Sequence, residues 1–140
     1  MISLFDKPKF RDGMIALSAE DKSSIAKTIK VLLYSKSQTK IEKSFGDYIE
    51  LLAKVKLARW TLASVFQYYH SPQTAYFIKP TTTKMIIDYF EISDIKYQPR
   101  PTFAFYKAYS NHLNTLKANT HPDITVNNAA FTGFLMMTIQ

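Results

Sequence analysis

Residues 22–59 read KSSIAKTIKVLLYSKSQTKIEKSFGDYIELLAKVKLAR, and their spacing decides the fold. Ile25, Ile29, Leu32 and Leu33 recur at intervals of four, three and one, which stacks them on one face of a helix. Ile41, Phe45, Tyr48, Ile49, Leu52 and Val55 repeat the pattern, and Leu62, Ala63 and Phe66 carry it further. The spacing predicts one helix ending near 35–38 and a second running from about Thr39 to Tyr69. Leu57 and Trp60 fall off the main stripe, so the second helix is expected to be apolar on more than one side.

The same stretch concentrates charge. Lys22, Lys27, Lys30, Lys36, Lys40, Lys43, Lys54, Lys56 and Arg59 are nine of the eighteen basic residues, against only Glu42, Asp47 and Glu50. It therefore carries +6 of the formal net charge of +7. A helical surface of that sign is suited to a polyanion. Lysine far outnumbers arginine, whose only positions are Arg11, Arg59 and Arg100. Bidentate reading of base edges favours arginine, so any nucleic-acid binding is expected to be non-specific. The plainer account of the lysines is a solvated, soluble surface.

Outward from this stretch, Ser18-x-x-Asp21 is a helix start, with Glu20 and Asp21 in a first turn whose dipole favours acids. Residues 1–17 hold Pro8, Gly13 and scattered apolar side chains, and are expected to form an N-terminal arm or a short strand. Gly46 inside the second helix suggests close packing or a bend, and Glu50 with Lys54 is a favourable i,i+4 pair. Ser71-Pro72 ends that helix, and Thr74 to Lys79 suits a brief strand or an extended link. Pro80 opens a helix of about three turns, and Thr102 caps another carrying Phe103, Tyr106, Tyr109, Leu113 and Leu116. The fold expected is mainly α: a single-domain bundle, residues 1–140, of four to six helices with at most a short strand pair.

The ending is unusual, because no charged side chain follows Asp123. The apolar C-terminal segment 127–140 contains Phe131, Phe134, Leu135, Met136 and Met137, which need burial in the chain's own core or in an oligomer contact.

Composition removes several chemistries. The chain has no cysteine, hence no disulfide, thiolate nucleophile, zinc-thiolate or iron–sulfur ligation. Its three glycines, Gly13, Gly46 and Gly133, are far apart, whereas phosphate-cradling loops need them clustered. A 46% hydrophobic content argues against disorder. No apolar run of about 18 residues and no secretory leader are evident, so a cytoplasmic location is expected.

His70, His112 and His121 lack the i,i+4 spacing of a helical metal pair, and each fits a surface or capping role. Asp88, Glu91, Asp94 and Lys96 hold the ingredients of a metal-dependent nuclease, although such a cluster is commonly a solvated face. Thr81 to Thr83, flanked by Lys79 and Lys84, could meet an anion at a helix start, with capping the blander account. Tyr34, Tyr68, Tyr69 and Tyr97 could stack on bases if exposed.

The sequence thus points to a non-enzymatic basic helical assembly protein that self-associates and binds nucleic acid, RNA included, with little specificity. A nucleoprotein-complex subunit or a virion structural component has this character. The alternative is a matrix-like or adaptor protein that meets an anionic membrane or an acidic protein partner, with the nuclease a weaker alternative. No cofactor, no catalytic residue and no metal site is implied.

Overall fold

The computed structural model describes residues 6–139, and its regular structure is helical. Seven α-helices and one 3-10 turn follow in order: α1 Asp6–Ala16, α2 Ala19–Tyr34, α3 Gln38–Ala53, α4 Trp60–His70, α5 Pro80–Tyr89, α6 Phe103–Ala118, the turn Pro122–Ile124, and α7 Asn128–Thr138. The mainly α expectation holds, the helix count exceeds it, and the described residues contain no strand.

Residues 6–16 form a helix rather than an arm or strand; residues 1–5 lie outside the described residues. Pro8 sits in the first turn of α1, where backbone N–H groups have no helical acceptor to lose. Gly13 lets α1 settle closely on the chain ahead, since a Cβ there would lie 2.5 Å from Leu57 Cδ1. Ser18 Oγ accepts the Asp21 N–H at 3.1 Å, so the start of α2 is capped as its sequence predicts. Only 35–37 separate α2 from α3, and Ser37 Oγ caps α3 by accepting the Lys40 N–H.

The long helix expected over 39–69 is two helices. Leu57 N–H donates to the Leu52 carbonyl at 2.9 Å and Lys56 N–H to Ala53 at 3.1 Å, with Lys56 left-handed at φ 59°. That is the crossed pair of bonds that closes a helix C-terminus, here built on lysine where glycine is usual. The apolar spacing continues across the break because Leu57 and Trp60 turn inward there too, at 4% and 1% exposure. Gly46, by contrast, is exposed with nothing within 4 Å of an added Cβ, so it marks no close approach.

The core gathers around α4. Trp60 packs against Phe105 and donates its indole N–H to the Gln98 carbonyl at 2.6 Å. Ser64, fully buried, donates to the Trp60 carbonyl and accepts the Ile78 N–H at 2.9 Å. That second bond satisfies a buried N–H of the 74–79 segment, which is therefore an extended link held by a side chain rather than a strand. Tyr48, Leu52, Leu62, Tyr76, Ile86, Leu113 and Phe131 complete the buried cluster. Burial pushes the Tyr76 and Tyr106 hydroxyls up to about 12, and those of Tyr48 and Tyr109 higher still.

Helix α5 also closes on a left-handed non-glycine residue, Glu91 at φ 51°, with Ile92 N–H bonded to the Ile87 carbonyl. Thr102 Oγ1 caps α6 as expected. α7 is tied down by Asn128, whose backbone N–H donates to the Pro72 carbonyl at 2.8 Å and whose Nδ2 donates to Ala75. Lys117 Nζ donates to Asn128 Oδ1 at 2.7 Å and to the Gln73 carbonyl, closing the joint. Among the described residues no helix is long and apolar enough to cross a membrane.

Candidate binding surface and adjoining cleft

The 35–37 turn folds α2 back antiparallel on α3, so the start of one lies beside the end of the other. Lys54 Nζ reaches both carboxylate oxygens of Asp21, at 2.9 and 3.0 Å, across this hairpin. All nine candidate basic residues are exposed. Each helix buries its apolar stripe, Ile25 on α2 and Phe45, Tyr48, Ile49 and Leu52 on α3, which leaves the lysines on the solvent side.

The nine are not equivalent. Lys54 pairs with Asp21, Arg59 with Asp6 at 3.0 Å, and Lys43 with Asp47 at 2.7 Å. Lys22, Lys27, Lys30, Lys36, Lys40 and Lys56 make no ion pair with any described residue. The hairpin is therefore graded. At its open end two cations face acids, whereas toward the 35–37 turn Lys30, Lys36 and Lys40 make no ion pair with a described residue, and neither does Glu42 beside them. Lys27 lines a shallow groove between the helices together with Asp47, Glu50 and Lys54, where the sign is mixed. The expected Glu50–Lys54 pair does not form, because Glu50 takes Arg100 and Lys54 takes Asp21.

The apolar C-terminal candidates divide in two. Phe131 is fully buried and Leu135 is 7% exposed, so both are used by the chain's own core. Phe134 and Met137 face outward, at 37% and 79% exposure, and with Met136 they line a groove of about 590 Å³ between α7 and the start of α5. Residue 140 lies outside the described residues.

The other sequence candidates are scattered or occupied. Asp94 accepts from His112 Nε2 at 2.9 Å, and this hydrogen bond holds its carboxyl below the usual value near 3.8. No group of three or more His, Cys, Asp or Glu among the described residues converges as a metal site, so Asp88, Glu91 and Asp94 do not form the cluster a metal-dependent nuclease needs. Lys96 is exposed beyond them. Thr83 is buried, and Lys79 occupies the cap position of α5 with no side-chain cap bond, so the Thr81 to Thr83 run does not cap the helix. Tyr68 is buried in a small cluster with Val65 and Phe77, while Tyr34 and Tyr69 face solvent. Burial raises the Tyr97 hydroxyl, and Lys84 lies over its ring.

A cleft of about 370 Å³ opens beside the 35–37 turn, between the end of α2, the start of α3, the end of α4 and the middle of α6. Leu32, Ile41, Phe45, Phe103 and Tyr106 give it apolar and aromatic walls. Gln67 reaches into it from α4, 9% exposed, and its Oε1 is buried with no hydrogen-bond partner. Such an unsatisfied amide is uncommon in a native interior. His70 and Lys107 stand at the rim, with the Tyr34 ring edge-on to His70 at 5.0 Å. No signal along the chain marks this site, because its lining comes from four separate segments.

No protein-family model, curated protein or solved structure matches the chain. The functional reading therefore rests on the residues alone.

Proposed function

We propose that this chain is a non-enzymatic helical assembly protein that holds nucleic acid, with little sequence preference, on the α2–α3 hairpin and self-associates through the outward edge of α7. The observation that carries the reading is the set of exposed lysines with no acidic partner, densest around the 35–37 turn. An ammonium that already faces a carboxylate gains little from a phosphate, whereas an unopposed one gains attraction and releases counterions. The scarcity of arginine agrees with contacts to phosphate rather than to base edges. Phe134, Met136 and Met137 supply the apolar surface for self-association.

The test is fluorescence anisotropy of labelled single-stranded RNA and duplex DNA over a salt series. Engagement of four to six phosphates predicts a log–log slope of about −3 to −5. The triple variant Lys30→Glu/Lys36→Glu/Lys40→Glu is expected to flatten that slope by about 2 or more and to weaken binding at least 100-fold at low salt. A flat salt dependence, or unchanged affinity in the variant, overturns the nucleic-acid reading, as does partition onto phosphatidylserine vesicles without nucleic-acid binding. Light scattering that reports a monomer at all concentrations, unchanged by Met137→Lys, overturns self-association.

A further inference from the structure

We infer that the cleft beside the hairpin turn is a nucleotide site, taking one planar heteroaromatic base against its aromatic wall and the attached phosphate at its rim. The inference deepens the reading above and rests on it only where the nucleotide is supplied by a strand rather than free in solution.

Three observations converge. The first is Gln67, a nine-tenths buried residue that lacks a partner for Oε1 among the described residues. An amide presents a donor and an acceptor side by side, and the edges of nucleobases present the complementary pair. That complementarity survives rotation of the amide by a half-turn, so it does not depend on which of the two atoms is oxygen. A purely apolar ligand would leave the amide as unsatisfied as before.

The second is the wall. Phe45 and Tyr106 stack at 5.7 Å between centroids with 29° between planes, and Phe103 lies at 5.7 Å from Phe45. Tyr106, half-buried, lines the cleft, and its hydroxyl is hydrogen-bonded to the Tyr76 backbone. Phe45 is 1% exposed and backs the wall, so the half-buried Phe103 and Tyr106 are the rings a base would meet, and stacking on such rings is tolerant of base identity. The volume of about 370 Å³ falls at the small end of the range for ligand sites, which suits one base and not a polynucleotide.

The third is charge at the mouth. Lys107 follows Tyr106 on α6, is exposed, and pairs with no acid among the described residues. Gln38, one residue past the 35–37 turn, lines the same cleft, and Lys36 and Lys40 stand two positions to either side of it in the chain, neither of them in the lining. A phosphate joined to a base held on Gln67 is thereby met by Lys107 at the rim, while of the acids on α3 Asp47 and Glu50 are paired and Glu42 is not.

The experiment uses the whole chain with adenosine, guanosine, cytidine and uridine monophosphates, each observed by NMR through the Gln67 side-chain amide and the Lys107 backbone. Saturable shifts of both resonances at millimolar nucleotide or below are expected, with at least one of the four binding and ribose 5-phosphate at least 10-fold weaker. Gln67→Leu keeps the shape of the site and removes the unsatisfied amide, so it is expected to melt about 4 °C higher while binding at least 10-fold more weakly. Lys107→Gln is expected to bind 3- to 10-fold more weakly with an unchanged melting temperature. No shift at Gln67 with any monophosphate up to 10 mM, or equal affinity for ribose 5-phosphate, overturns the inference. A single-stranded oligonucleotide that shifts the same resonances at lower concentration assigns the source to a strand; shifts with the monophosphates alone assign it to a free nucleotide. Strand binding with a steep salt slope and no response at Gln67 removes this site and leaves the hairpin function standing. Monophosphate binding without strand binding does the reverse.

Discussion

The α2–α3 hairpin and the region around α4 use opposite means to meet their surroundings. The hairpin keeps its charges outside, where a side chain is held by little and its loss changes stability only slightly. Around α4 several polar groups are enclosed and answered: Ser64 by Trp60 and Ile78, the Trp60 indole by Gln98, Tyr48 by Leu62. The difference teaches where shape resides and which surface can change charge without disturbing it. The α4 region sets the shape because each substitution there removes packing and partners together, and the hairpin is left free to vary in charge. Gln67 is the exception around α4, a buried residue with the one unanswered buried side-chain atom among the described residues.

The contrast breaks most visibly at Trp60. Trp60→Ala leaves a cavity in contact with Phe105 and orphans the Gln98 carbonyl, and is expected to cost about 3–5 kcal/mol, read as a lower urea midpoint. A loss below about 1 kcal/mol would mean that the core is not centred on α4. By the same logic the triple glutamate variant of the hairpin should change stability far less than it changes binding.

A smaller effect of opposite sign is expected where the two regions join. Lys56→Gly relieves a left-handed lysine and should raise stability by about 0.5–1 kcal/mol, whereas Lys56→Ala, which removes the same charge but keeps a Cβ, should not. Equal effects of the two variants would show that charge, not backbone geometry, governs the position.

The smallest effect lies at the exposed Asp94–His112 pair. A carboxyl held below its ordinary value adds stability above that value and loses the contribution as pH falls through the lowered one. His112→Ala should return Asp94 toward 3.8 in an NMR titration while scarcely moving acid unfolding, since Asp94 is open to solvent. An unmoved Asp94 titration would show that His112 is not the cause.

What the sequence revealed follows from how local each signal is. Ser18, Thr102 and Pro80 act within one turn, and the helix starts they announce are present. The end of α3 was hidden because its left-handed position holds lysine, and because the inward residues of the turn sustain the helical spacing into α4. α1 was hidden because Pro8 and Gly13 weaken its pattern, while what it needs, the fit of Gly13 on Leu57, spans 44 positions. Charge on the hairpin was legible, since exposure follows from the apolar stripe. Its partial neutralisation was not: the Asp21–Lys54 and Asp6–Arg59 pairs join residues 33 and 53 positions apart.

The Lys117 joint bears on how the positive charge can be studied. Its ammonium pairs with no acid among the described residues and instead clasps Asn128 and the Gln73 carbonyl, so one lysine among the fifteen is a fastener for the last helix. Blanket chemical neutralisation of amines would unfasten α7 along with stripping the surface, and the two consequences can be told apart only by substituting lysines singly.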